Sequence, residues 1–333
     1  MRALVTGGGG FLGRTIVEQL RAVGDDVRIL ARGRYPEVEA LGVECISGDL
    51  ADPQTAKRAV DGVDVVFHVA AKTGVWGKRG DFVHSNITAT EVLLAAMRAS
   101  GTTRLVYTSS PSVIFDGHDH VNATADELPY PKSYLAHYPQ TKAAAEQLVL
   151  AANGPDLATV ALRPHLIWGA RDPWLLPRVI ARHRAGRLRI VGDGGNQVSL
   201  SYVENAAAGH LQAARALSPE AACAGRAFFI NDPDPVALWP WINAVFREIG
   251  LPPLTRTVPY GLARALGAVA EGIWAVLGRQ DDPPMTRFVA AQLATSHTYS
   301  IQPAIEAFGY APPVTAEEGL LRMFRAWKTD LQG

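Results

Sequence analysis

Tyr138-Pro139-Gln140-Thr141-Lys142 sets a phenol and an ammonium four residues apart. On a helix this spacing brings both groups to one face, about one turn apart. A cation beside a phenol lowers the phenol's pKa and makes it a general acid/base near working pH. Twenty-eight residues earlier, Leu105-Val106-Tyr107-Thr108-Ser109-Ser110 ends an apolar run in hydroxyls. In an open α/β sheet those hydroxyls stand at the carboxyl edge, where such sheets bind ligands. Gly7-Gly8-Gly9-Gly10-Phe11-Leu12-Gly13 follows the first apolar run of the chain. Glycine there permits a tight turn and close backbone approach to a pyrophosphate, while the following helix N-terminus supplies N–H donors. Either motif alone is common by chance. In this order they describe a phosphate cradle followed by proton-transfer groups, the equipment of a dinucleotide-dependent oxidoreductase.

The second apolar run ends in Leu30-Ala31-Arg32-Gly33-Arg34, where an NAD-selective fold carries an acid for the ribose 2′-hydroxyl. A guanidinium at Arg32 instead pairs with the 2′-phosphate of NADP(H); otherwise Arg32 is a solvated surface residue. Asp25 and Asp26 precede that run and fall at its wrong end. Gly48-Asp49-Leu50 follows the third run, so that Asp49 either meets the adenine amino group or closes an Asx turn. His68-Val69-Ala70-Ala71 ends the fourth, where small residues let ribose and nicotinamide pass close to the backbone. Phe11, Leu12, Leu50, Ala70, Ala71 and Lys72 complete the expected cofactor contacts, and His68 reads as a core histidine rather than a catalyst.

These residues need a scaffold that lines up several strand ends. Strands are expected at Ala3 to Thr6, Val27 to Ala31, Glu44 to Ser47, Val63 to Val69, Arg104 to Ser109 and Thr159 to Arg163, with helices at Phe11 to Val23, Phe82 to Ala99 and Tyr138 to Asn153. Near-continuous apolar strands alternating with helices imply an α/β doubly wound parallel sheet, a Rossmann domain over residues 1–165. From 166 to 333 prolines and tryptophans are common and the alternation loosens, which implies a smaller, mainly helical substrate lobe, with helices at Glu204 to Ala216 and Leu238 to Ile249. Lys plus Arg equals Asp plus Glu at 32 each, which offers no field for nucleic acid or an anionic surface as a whole. Cys45 and Cys223 form no metal-binding spacing, so no metal is expected. The N-terminus lacks the features of a signal peptide and no segment suits a spanning helix, so a cytoplasmic protein is expected.

TGGGGFLG, GDL, HVAA, YTSSPSV, YPQTK and LRPHLIWG, in that order, resemble the extended short-chain dehydrogenases/reductases, in the branch containing 3β-hydroxysteroid dehydrogenases. That resemblance implies roles for Ser110, Tyr138 and Lys142: Ser110 polarises the reacting oxygen, with Ser109 and Ser112 as fallbacks, Tyr138 transfers the proton, and Lys142 tunes Tyr138 and holds the nicotinamide ribose. It also implies that Asn86 braces the helix facing the site, that Pro164 positions the carboxamide, and that the protein is a homodimer.

AAKTGVWG, LRPHLIWGARD, VGDGGNQVSLSYVENAAAGHL and LWPWIN are more narrowly similar to the 2-alkyl-3-oxoalkanoate reductases of bacterial long-chain olefin formation, although sterol dehydrogenases share many of these motifs. A long-chain β-keto acid needs an apolar channel and one cation. Val75, Trp76, Trp168 and Trp174 are the candidates for the channel and Arg171 or Lys72 for the carboxylate; core packing and an Arg171–Asp172 ion pair are the plainer readings. The weakly charged stretch 260–277 reads as an amphipathic lid, a membrane-surface or pathway-enzyme contact, or a buried lobe helix.

Overall fold

The computed structural model describes residues 1–330. Seven strands form one parallel sheet: β1 (Arg2–Thr6), β2 (Asp26–Ala31), β3 (Glu44–Ser47), β4 (Val65–His68), β5 (Arg104–Thr108), β6 (Ala158–Arg163) and β7 (Arg226–Phe229), in the order β7-β6-β5-β4-β1-β2-β3. The six strands expected from the apolar runs are all present, within two residues at either end. The seventh comes from beyond residue 165, so the sheet draws on both halves of the chain. Leu4, Val5, Val66, Phe67, Leu105, Val106 and Val160 are fully buried because helices cover both faces.

The strand order reverses between β1 and β4, and the crevice at their carboxyl ends is the place where such sheets take ligands. Three helices bring the candidate residues to it: α1 (Phe11–Ala22), α2 (Ala89–Ser100) and α3 (His137–Ala151). The single helix expected over Phe82 to Ala99 is interrupted, since Val83–Thr88 forms a π-helical turn before α2 begins. Such wide turns cluster at functional sites, and this one carries Asn86.

The lobe is built from α4 (Leu175–Arg184), α5 (Val203–Ala216), α6 (Leu238–Glu248), α7 (Tyr260–Val276) and α8 (Arg287–Ala294). α5 lies back on the sheet domain, where Gln19 on α1 donates to the Glu204 carbonyl at 2.9 Å. A four-stranded sheet joins 236–237, 197–198, 297–299 and 120–123, tying the lobe to the segment after β5. Trp168 is fully buried, with its ring on Tyr202 and its Nε1 donating to Asp232 at 3.2 Å. It belongs to the core and not to the expected channel. No helix among the described residues is long and apolar enough to cross a membrane.

Candidate active site

A cavity of about 780 Å³ opens along the carboxyl edge of the sheet and continues between α4, α6 and α8. Its sheet end is made by the glycine turn. Gly7 has φ +70°, and a Cβ there would come within 2.9 Å of the Ala70 backbone; the β1 and β4 ends can meet this closely only because the side chain is missing. A Cβ on Gly13 would lie 2.2 Å from the Gly7 carbonyl oxygen, so glycine is also what lets α1 start directly against the turn. The N-terminus of α1 therefore opens on the cavity, with Gly7, Gly10, Phe11, Leu12 and Gly13 along its wall. These are the backbone donors and the close approach that a pyrophosphate needs.

Arg32, Asp49, Leu50, Ala70, Ala71 and Pro164 line the same cavity. Arg32 is exposed at the end of β2, and its guanidinium makes no hydrogen bond or ion pair among the described residues. Asp49 closes the Asx turn, its Oδ1 accepting from Ala51 N at 2.9 Å, while its Oδ2 meets His84 Nε2 at 2.9 Å. The His84 contact holds its carboxyl below the ordinary range. Asp25 binds the N-terminal ammonium at 2.7 Å, at the opposite end of β2 from the cavity. His68 bridges Thr6 Oγ1 at 2.8 Å and Thr90 Oγ1 at 2.9 Å, and burial pushes its pKa down to about 3, so it is a neutral core histidine.

Ser110, Tyr138 and Lys142 meet in the floor of this cavity. Tyr138 and Lys142 occupy the first turns of α3, which starts at an extended Ala136. Ser110 leads into a short 3₁₀ turn at Pro111–Val113, and its Oγ accepts from Ser112 N at 3.2 Å. Lys142 Nζ donates to the Thr108 carbonyl at 2.6 Å and lies 4.1 Å from the centre of the Tyr107 ring. Burial pushes the Tyr138 phenol above its ordinary value, with the Ser110 hydroxyl pulling the other way. The ammonium is directed at Thr108 and Tyr107, and burial pushes Lys142 itself down to about 7, against the pull of Glu146.

Asn86 braces the arrangement. Its Oδ1 accepts from Lys72 N at 2.7 Å, and its Nδ2 donates to the Lys72 carbonyl at 3.1 Å and to Thr141 Oγ1 at 2.9 Å, joining the loop after β4 to α3. One turn beyond Lys142, Glu146 forms a two-pronged ion pair with Arg163 at 2.6 and 2.9 Å and accepts from the Tyr130 hydroxyl at 2.6 Å. Arg163 immediately precedes Pro164, so this pair fastens α3 to the strand end on the cofactor side of the cavity.

Several expected substrate contacts are not in the cavity. Arg171 makes two 2.6 Å hydrogen bonds to Glu18 on α1, away from the cavity, while Asp172 accepts from the first amides of α4 at 2.7–3.0 Å instead of pairing with Arg171. Lys72 turns its ammonium toward Asp81 at 3.8 Å and the Phe82 ring, outside the cavity lining. Trp76 donates to the Arg279 carbonyl at 3.0 Å and is also not among the lining residues. Val75 and Trp174 do line it. The cations that reach the lobe side are Arg178, paired with Asp282 at 2.8 Å, and Arg182, whose guanidinium makes no hydrogen bond or ion pair among the described residues. Motif reading passed over both, along with Tyr35 beside the glycine turn and Trp239, Met285 and Phe288 in the lobe wall. The available signal was the acid-free run of residues 173–192, which holds five arginines.

Residues 4–259 match the 3-beta hydroxysteroid dehydrogenase/isomerase family. The chain is 48% identical to a 2-alkyl-3-oxoalkanoate reductase of Stenotrophomonas maltophilia, over 97% of this chain and 98% of that one. It is 45% identical to the Shewanella oneidensis protein of the same name, over 96% and 85% of the two chains. A mouse sterol-4-alpha-carboxylate 3-dehydrogenase, decarboxylating, is 34% identical over 98% and 91%. Among solved structures, a short-chain dehydrogenase/reductase superfamily protein of Agrobacterium tumefaciens with bound NAD has a TM-score of 0.76 at 21% identity, covering 99% and 98% of the chains. A UDP-galactose 4-epimerase gives 0.73 at 23% identity, covering 99% and 100%; both establish the fold. The chain therefore belongs to the 3-beta hydroxysteroid dehydrogenase/isomerase family and is an oxidoreductase.

Proposed function

We propose that this enzyme uses NADPH to reduce the ketone of a 2-alkyl-3-oxoalkanoic acid to the β-hydroxy acid, the reaction implied by its likeness to the reductases of long-chain olefin formation. The carrying observation is that Ser110, Tyr138 and Lys142 share one cavity with the glycine turn, and that this cavity continues into apolar lobe walls such as Val75, Leu188, Trp239, Ile242 and Met285. Two relatives at 48% and 45% identity bear the name of that activity.

The glycine turn and the α1 N-terminus fit a pyrophosphate, and the unpartnered Arg32 at the β2 end fits a 2′-phosphate where an NAD-selective site would place an acid. When bound, the reduced nicotinamide supplies the hydride. Tyr138 gives its proton to the ketone oxygen as that oxygen gains charge. A phenol raised by burial stays protonated at neutral pH, which suits donation. Ser110 donates a hydrogen bond to the same oxygen, and Lys142, in the same cavity floor, would hold the nicotinamide ribose of the bound cofactor. Asn86, bonded to both the loop after β4 and Thr141, keeps the donor and the cofactor wall in register. Arg182 is the lobe-side cation available to the carboxylate.

The alternative is oxidation of a 3β-hydroxysterol, favoured by the sterol dehydrogenase relatives at 34% identity. Absorbance of the reduced cofactor decides between them. Consumption of NADPH with a 2-alkyl-3-oxo acid, and none formed from NADP and a 3β-hydroxysterol, is the expected result; the opposite pattern replaces this reading with the sterol one.

A further inference from the structure

We propose that the outward face of α7 docks on an anionic lipid surface and places the cavity mouth against it. Half of the twelve large hydrophobic side chains exposed on the described protein lie on this helix and the residue after it: Leu262, Leu266, Val269, Ile273, Val276 and Leu277. Each is at least 48% exposed, and Val276 is 87% exposed. At about 100° per residue they share one side, and Ala265, Ala268, Gly272 and Ala275 extend it to an uncharged arc of roughly 200°.

The helix is firmly seated on its other side. A Cβ on Gly267 would lie 2.7 Å from the Thr286 backbone, and buried Glu271 accepts from both the backbone N and Nε of Arg287 at 2.7 Å. The exposed arc is therefore a fixed surface of a packed element. Patches of this kind mark contacts with another apolar phase.

Three observations select a lipid surface as the occupant. First, a helix partner would be met by a narrow seam flanked by charges that set the register. Here the flanks are alanine and glycine over the whole arc, which specifies no register and suits a fluid phase. Second, the surrounding charge is complementary to anionic headgroups. Arg264 stands at the border of the arc and Arg256 precedes the helix, whereas the only acid between residues 250 and 280 is the buried Glu271; Arg279, after the helix, is paired with Asp281. The adjoining segment 173–192, joined to this region by the pairing of Ile190–Val191 with Thr257–Val258, adds five arginines and no acid, of which Arg178 is paired with Asp282. The positive charge beside this apolar face therefore rests on Arg256, Arg264 and the other four arginines of 173–192. Third, the chain leaving α7 passes straight into the cavity wall at Asp282, Pro283, Met285 and Thr286. Trp174, 55% exposed with Arg178 4.8 Å from its ring centre, stands in the same lining. An amphipathic ring over a cation is what an interfacial anchor looks like. At 17 residues, with Arg264 and Glu271, the helix lies on the surface and does not cross it.

The test is co-sedimentation of the full chain with vesicles of equal parts phosphatidylcholine and phosphatidylglycerol, and with phosphatidylcholine alone. Wild type is expected to pellet with the mixed vesicles, to be released by high salt, and to bind pure phosphatidylcholine far less. The triple variant Leu266→Gln, Val269→Gln and Ile273→Gln removes three exposed apolar side chains and is expected to bind about a hundredfold more weakly. These side chains are exposed, so its melting temperature and its turnover in vesicle-free solution are expected to be unchanged; the single variant Val269→Asn, expected about fivefold weaker, serves if the triple variant does not fold. Failure of wild type to pellet with mixed vesicles, equal binding by wild type and variant, or equal binding to both vesicle types overturns the proposal. A variant that loses self-association while wild type ignores vesicles assigns the face to a second copy instead.

Discussion

Removing the Glu146 charge while keeping its shape, as in Glu146→Gln, tests whether the buried pair with Arg163 holds the site together. The Glu146 side chain is 0% exposed and that of Arg163 3%, so neither partner has water to fall back on. Desolvation raises the Glu146 carboxyl, yet Arg163, Ser109 and Tyr130 together hold it below its ordinary value, so it is ionised throughout the neutral range. Breaking one side of such a pair strands the other charge and costs about 3–5 kcal/mol, a large share of the roughly 5–15 kcal/mol that a folded protein has. At about 2–3 °C per kcal/mol for a large domain, Tm falls by about 6–15 °C. The Glu146→Leu, Arg163→Met double variant removes both charges and is expected to recover most of that loss, short of about 1 kcal/mol for the Tyr130 hydroxyl left without its 2.6 Å acceptor. Urea denaturation of the wild type, Glu146→Leu, Arg163→Met and the double variant gives the coupling energy directly. Activity under folding conditions adds a second readout, because α3 carries Tyr138 and Lys142 while Arg163 leads into Pro164. A Glu146→Gln loss below about 1 kcal/mol, or strictly additive single variants, refutes the reasoning.

Tyr138→Phe is expected to lower kcat by about 10²–10⁴-fold with the NADPH dissociation constant nearly unchanged, by fluorescence titration; retained turnover removes Tyr138 from the proton step. Arg32→Asp is expected to reverse the ratio of kcat/KM for NADPH over NADH, and a wild type already preferring NADH contradicts the 2′-phosphate assignment. Arg182→Ala is expected to raise KM for a 2-alkyl-3-oxo acid more than for its methyl ester; equal changes place the carboxylate elsewhere. Lys142 titrates near 7 in the fold against about 10.4 in the unfolded chain, so unfolding takes up a proton between those values and the ligand-free stability contributed by this group rises with pH across that window. Lys142→Met is expected to flatten that rise in the urea midpoint, and parallel pH curves for the two proteins exclude it.

Most of the sheet domain was legible in the residues because its signals are local. A strand buried on both faces needs a short apolar run, as in Val65 to His68, and a glycine turn before a helix needs no distant partner to be recognised. Tyr138 and Lys142 shared a helix face by spacing alone, and Asn86 fell where the family pattern put it. What the residues could not say was which side chains of the lobe would face inward. Trp168, Trp76 and Trp174 are equally apolar by composition, yet one lies in the core against Tyr202 and Asp232, one donates to the Arg279 carbonyl and one lines the cavity, because partners distant in sequence decide it.

The same limit applies to charge. Arg171 was a candidate for the carboxylate until the fold set it beside Glu18, 153 residues away in sequence. Lys142 was expected to tune Tyr138, and only the fold shows that burial against Thr108 and Tyr107 lowers its own proton affinity as well. For α7, hydropathy identifies an apolar helix but not what it packs against; the tertiary structure left that face open. The chemistry of this protein was written into motifs a few residues long, whereas its choice of ligand rests on contacts between segments more than a hundred residues apart, which only the folded chain brings together.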